Sequence, residues 1–112
     1  MTKVTMLYNN NAPIGFMMEG HAGYNPGGPD ILCACLSAIS QMTVNGVLDW
    51  TGLDIDETVK ERSLKDGVLH FEIPCDMASL TSHQLFKSFE MYIEQLLEDY
   101  KNYITMERRY KS

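Results

Sequence analysis

The chain opens on a period of two. Val4, Met6 and Tyr8 alternate with Thr5 and Leu7, which is strand spacing. Asn9-Asn10-Asn11 followed by Pro13 is a turn cluster. Ile14, Phe16 and Met18 then alternate with Gly15, Met17 and Glu19, so a second strand is predicted to end near His21, completing a hairpin. Tyr24 to Pro29 is loop by composition. Pro29-Asp30 opens a helix, since proline is tolerated in a first turn and aspartate suits the positive end of the dipole. Asn45-Gly46 is its predicted stop, with Val47, Leu48 and Trp50 following as a last irregular turn.

Further along, a third strand is predicted around Thr58 to Ser63 and a tight turn at Lys65-Asp66-Gly67. In the fourth strand Val68, His70 and Glu72 oppose Leu69, Phe71 and Ile73. Thr81 and Gln84 have capping-box spacing. Leu85, Phe89, Tyr92, Leu96, Tyr100 and Tyr103 recur at helical spacing, which predicts a second helix from about Ser82 to past Tyr100. Arg108 and Arg109 fall near its end, where cations favour the dipole. Hairpin, helix, hairpin, helix predicts an α+β sandwich with a four-stranded sheet and two main helices, residues 1–112 forming one domain.

Composition narrows the partners. A formal net charge of -6 argues against direct nucleic-acid binding, which needs basic surface to release counterions, and favours basic partners instead. No apolar run of about 18 residues suggests a membrane span. Lys3 leads straight into an alternating segment rather than a secretory leader. Three cysteines cannot all pair within the chain, so the expectation is a reducing, cytoplasmic setting with free thiols.

The first helix separates two of those thiols. At about 100° per residue, Ile31, Leu32, Cys35, Leu36, Ala38, Ile39 and Met42 fill an apolar arc. Cys33, Ser37, Ser40 and Gln41 share the polar remainder. Cys35 therefore reads as core filler. Cys33 lies in the first turn, where the dipole and unpaired N–H groups stabilise a thiolate. His21 stands 12 positions earlier (33 − 21), and the loop between has the length to fold the two side chains together as nucleophile and base.

Each feature also has a plain reading. A bare histidine and cysteine in a small domain are more often structural than catalytic. Asp30 is either an imidazole orienter or a helix cap. Gly23, Gly27 and Gly28 would let the loop act as a lid or donate N–H groups to an oxyanion, or Gly20 and Gly23 serve only a turn. Zinc on His21, Cys33, Cys35 and Cys75 is disfavoured, because Cys33 and Cys35 point about 200° apart on the helix. The same angle opposes a disulfide between them. His70 and His83 read as surface residues, and Cys75 as passive. A thiol-transfer domain is weakened by the lack of a CxxC pair.

"GHAGY", then "DILCA", then "LSA" resembles the ribosomal-processing cysteine protease family, Prp. The match is dense from Gly20 to Ala38. The resemblance implies a small α+β homodimer without metal or cofactor. It implies removal of a short N-terminal extension from ribosomal protein twenty-seven of the large subunit, a basic protein, with the cut after an aromatic residue. His21 falls on the family's catalytic histidine and Cys33 on its nucleophile. Asp30 matches the family's aspartate and Ser37 a recurrent serine. The segment Gly20 to Gly28, including Gly23, Tyr24 and Gly27, matches its glycine-rich loop, although "NPGGP" carries more proline and glycine than is usual. Cys35 stands where alanine is usual. A non-catalytic ribosome-assembly protein that holds the same basic segment is the competing reading.

Overall fold

The computed structural model describes residues 1–25 and 30–111. Strands β1 (Thr2–Asn9) and β2 (Ala12–Glu19) form the predicted hairpin. Its two-residue connection places Asn10 at φ 53°, a conformation asparagine tolerates. Helix α1 (Ile31–Thr51), the short α2 (Ile55–Thr58), and strands β3 (Val59–Ser63) and β4 (Val68–Glu72) follow. A 3-10 turn (Cys75–Met77) leads into α3 (Leu80–Tyr100), and β5 (Ile104–Lys111) ends the described chain.

The sheet has five strands in the order β3-β4-β2-β1-β5, not four. The additional strand, β5, runs parallel to β1, and it holds the Arg108 and Arg109 that were expected at a helix end. Only Ile104 of β5 is buried. Met106 is half-buried against the core, and the charged residues of β5 are ion-paired: Arg108 to Glu90 and Glu94, Lys111 to Glu72, and Glu107 to Arg109 and Lys3. A strand held by ion pairs at a sheet edge shows no apolar alternation, and charged edges also block pairing with another chain.

Val4 and Met6 of β1 lie beside Met18 and Phe16 of β2. The Phe16 ring stacks on Phe89, 4.3 Å between centroids, and meets Phe86 edge-on. Phe71 of β4 joins the same aromatic cluster. α3 therefore packs on the sheet, and α1 packs on α3.

Two boundaries and one helix face differ from expectation. α1 runs through Asn45-Gly46 and stops at Gly52, whose φ of 72° and N–H to the Leu48 carbonyl form the C-cap. Gly46 is a packing glycine: a Cβ there would already meet Leu85 at 3.4 Å. The cap of α3 is Ser79 with Ser82, reciprocally bonded, rather than Thr81 with Gln84. On α1 the buried stripe is Leu32, Leu36, Ser40, Thr43, Val44 and Val47. Ile31 and Met42 are exposed, so part of the apolar arc faces outward, while Ser40 satisfies its buried hydroxyl on the Ser37 carbonyl. At 21 residues α1 is, against expectation, long and apolar enough to cross a bilayer by length and composition alone. Here that buried stripe packs into the core.

Candidate active site

α1 begins at a side-chain cap. Asp30 Oδ1 accepts from the N–H groups of Leu32 and Cys33, both at 3.0 Å, and Oδ2 accepts from Tyr24 N–H at 3.0 Å. The Cys33 N–H, with smaller help from its thiol and from the Asn25 and Tyr24 N–H groups, outweighs partial desolvation and holds the Asp30 carboxyl below the usual range. Asp30 is thus the helix cap, and it also ties the loop after β2 to the helix. Both oxygens are engaged on backbone donors.

Cys33 is the third residue of α1 and half-buried. Its Sγ receives the Ala22 N–H at 3.4 Å, a donor placed to stabilise negative charge on sulfur. The neighbouring His21 projects from the end of β2. Its Nε2 lies 2.8 Å from the Lys65 carbonyl oxygen in the turn between β3 and β4. A carbonyl only accepts, so this contact selects the Nε2–H tautomer and leaves the Nδ1 lone pair to take a proton.

His21 and Cys33 line one cleft of about 240 Å³. Gly20 and Ser37 line it with them. One wall is apolar, built from Leu36 and Val44 of α1, Val59 of β3 and Leu64, Val68 and Leu69 of the β3–β4 hairpin. Polar groups enter from α1, where the Ser37 hydroxyl accepts from Gln41 Nε2 at 2.7 Å. Arg62 stands at the hairpin side. A thiol, an imidazole and a concave apolar wall can together take a peptide and attack its carbonyl carbon.

Gly20 is held firmly. Its φ is 85°, a Cβ there would lie 2.5 Å from the Met1 carbonyl oxygen, and its own carbonyl accepts from Thr2 Oγ1 at 3.2 Å. Gly23, at φ 72°, faces open space. Neither Gly23 nor Tyr24 lines the cleft; the Tyr24 ring packs edge-on against Tyr100 and Tyr103. Gly27 and Gly28 lie outside the described residues.

The other thiols stand apart. Cys35 is half-buried with its Sγ 4.0 Å from the Tyr92 hydroxyl, and Cys75 is exposed. His70 is not a surface residue: it is half-buried and its Nε2 sits 3.1 Å from Glu72. His83 is half-buried as well. No group of three or more metal-ligating side chains gathers among the described residues.

The sequence gives no sign of the Lys65 carbonyl, the Ala22 N–H or the hairpin wall. The Lys65-Asp66-Gly67 signal locates the turn, but backbone groups carry no side-chain signature of where they will point.

The family model described as cysteine protease Prp matches residues 1–105. No curated protein matches the chain. Among solved structures, SMU.848 from Streptococcus mutans superposes with a TM-score of 0.82 at 20% identity, covering 99% of this chain and 96% of that one. Two structures of the essential ribosomal processing protease Prp from S. aureus are similar at 21% identity. One, with a covalently linked product peptide, gives a TM-score of 0.74 over 97% of this chain and 100% of its own. The other, with a substrate peptide, gives 0.71 over 99% and 100%. At these identities the solved structures establish a shared fold, and the family model, matched over nearly the whole chain, establishes the rest: this chain belongs to the Prp family of cysteine proteases.

Proposed function

We propose that this chain is a ribosomal-processing endopeptidase that removes the short N-terminal extension of large-subunit ribosomal protein twenty-seven, cutting after an aromatic residue. The observation that carries the reading is the placement of His21 and Cys33 on one cleft, with the Ala22 N–H on the sulfur. Cys33 thiolate attacks the scissile carbonyl carbon, forming a C–S bond. His21, protonated in the ion pair, passes its proton to the leaving amine as the C–N bond breaks. Water, deprotonated by His21, then hydrolyses the thioester and frees the thiol. The apolar hairpin wall suits an aromatic side chain, and the net charge of -6 suits a basic substrate. The S. aureus relative holds a substrate peptide, which favours a peptide occupant here.

The enzyme works in the cytoplasm as a homodimer in this reading. Support for pairing comes from the open apolar groove between α1 and α3, lined by Ile39, Met42, Leu85, Phe89 and Tyr92.

Mass spectrometry of the ribosomal protein's N-terminal peptide, after incubation with wild type, Cys33→Ala and His21→Ala, tests the assignment. The expected result is one cut after an aromatic residue, abolished in Cys33→Ala and reduced about 100-fold or more in His21→Ala. Cutting that survives Cys33→Ala overturns it. Binding of an intact peptide by wild type would instead favour the assembly-protein reading.

A further inference from the structure

The imidazole of His21 is exposed, yet its orientation is fixed, and the group that fixes it is not Asp30. Both Asp30 oxygens accept backbone N–H groups at the start of α1 and in the loop. The contact to His21 Nε2 comes from the Lys65 carbonyl, 44 residues further along the chain. Beside it stands Gly67, at φ 64°. A Cβ at Gly67 would lie 2.5 Å from the Gly20 carbonyl oxygen and 3.3 Å from His21 Cε1. The first distance is between two backbones, so no rotamer relieves it. Gly20 cannot give way either, because Met1 closes on its Cα and Thr2 Oγ1 holds its carbonyl. Thr2 is in turn fixed by its N–H to the Tyr103 carbonyl at 2.9 Å. Any side chain at residue 67 therefore moves the turn, and with it the Lys65 carbonyl.

We infer that the β3–β4 turn is a positioning element for the reaction: the Lys65 carbonyl holds His21 as its Nε2–H tautomer, and Gly67 is the residue that lets the turn reach it. The inference rests on His21 being the acid–base of the proposed reaction. Its chemistry is that of any imidazole base, which needs one ring N–H anchored so that the other nitrogen faces the proton it takes. A carbonyl anchor is neutral. It fixes the tautomer and ring plane without adding a full negative charge beside the imidazolium. The anchor belongs to the main chain, so the Lys65 side chain is dispensable and the shape of the turn is not.

The test has two arms. In the first, 15N-histidine NMR of the wild-type protein at alkaline pH, with His21 assigned through His21→Ala, reads the tautomer directly. A protonated Nε2 and bare Nδ1 are expected; a protonated Nδ1 overturns the inference whatever any variant does. In the second, Gly67→Ala, Gly67→Asn and Lys65→Ala are compared with wild type by circular dichroism and peptide cleavage. Asparagine accepts the positive φ, so Gly67→Asn isolates the steric contact from backbone strain. Folded Gly67 variants should lose kcat by about 10- to 100-fold with KM within about twofold, and lose the fixed Nε2–H signal. Lys65→Ala should stay near wild type. A folded Gly67 variant with wild-type kcat and the same NMR pattern overturns the proposal. If His21→Ala itself cuts normally, the catalytic assignment fails instead, and the NMR arm still reports whether the turn holds the ring.

Discussion

Glu90 is 1% exposed, yet its carboxyl is held in the charged form, and three other side chains explain how. Tyr8 donates to Oε1, while Lys87 and Arg108 meet Oε2 at 3.1 Å and 3.0 Å. Arg108 also spans to Glu94. Burial is the largest single influence and pushes the Glu90 carboxyl upward, but the bonds from Tyr8, Lys87 and Arg108 together outweigh it and leave the group below its ordinary value. Its stabilisation is thus present above about pH 4.5, the ordinary glutamate range, and is lost as pH falls through the lower folded value. Tyr8 behaves oppositely. Burial first, then Glu90, raise its phenol above 10.0, so its share is present below pH 10 and lost as pH rises through the folded value. Urea midpoints measured against pH should form a plateau that falls at both ends, and Glu90→Gln should flatten the acid limb. Glu90→Ala removes the acceptor shared by Tyr8, Lys87 and Arg108 and leaves a void, but both cations reach solvent, so it is expected to cost about 1–3 kcal/mol, read from urea unfolding. Asp30→Ala should lower Tm by removing the α1 cap, with Asp30→Asn restoring most of it, because asparagine caps as well as aspartate.

Among the elements, the legible strands place large apolar side chains toward the helices, although Thr5 and Leu7, which alternate with them on β1, are buried as well. The first hairpin and β4 show their alternation because Val4, Met6, Phe16 and Phe71 all face the helices. The start of α1 is also legible, because Asp30 caps it with a side chain, whereas at α3 Thr81 and Gln84 mimic the spacing and hide the true cap, Ser79. What escaped the sequence is held by charge or by close approach. β5 carries Glu107, Arg108, Arg109 and Lys111, a run that resembles a helix end and is in fact stitched to β1 and α3. Gly46 looks like a stop and is a contact with α3. Ile104 is the one fully apolar anchor of β5, 1% exposed. Ile104→Ala should cost about 2–5 kcal/mol and loosen the strand, seen as faster amide exchange across β1 and β5.

Across the whole molecule, the site is a junction of distant segments. His21 and Cys33 stand out in the sequence because they sit in a dense motif of side chains, and the fold brings both to one cleft. Tyr24 was placed with them by the motif and in fact sits on Tyr100 and Tyr103, since aromatic edges gather where α3 gives way to β5. The apolar side of α1 and α3 gives one further prediction at this scale: Met42 is 69% exposed and replaceable without unfolding, so on the proposed dimer Met42→Asp should lower the mass seen by light scattering to that of a monomer. The parallel pairing of β5 with β1 also sets an order in time. Thr2, which holds Gly20 beside His21, is itself fixed by Tyr103 and aligned with Ile104. Those residues are translated some eighty positions after the histidine they steady. A nascent chain therefore exposes the proposed thiol and imidazole long before the frame around them can close, and the arrival of β5, rather than of the proposed reactive segment, decides when that frame is complete.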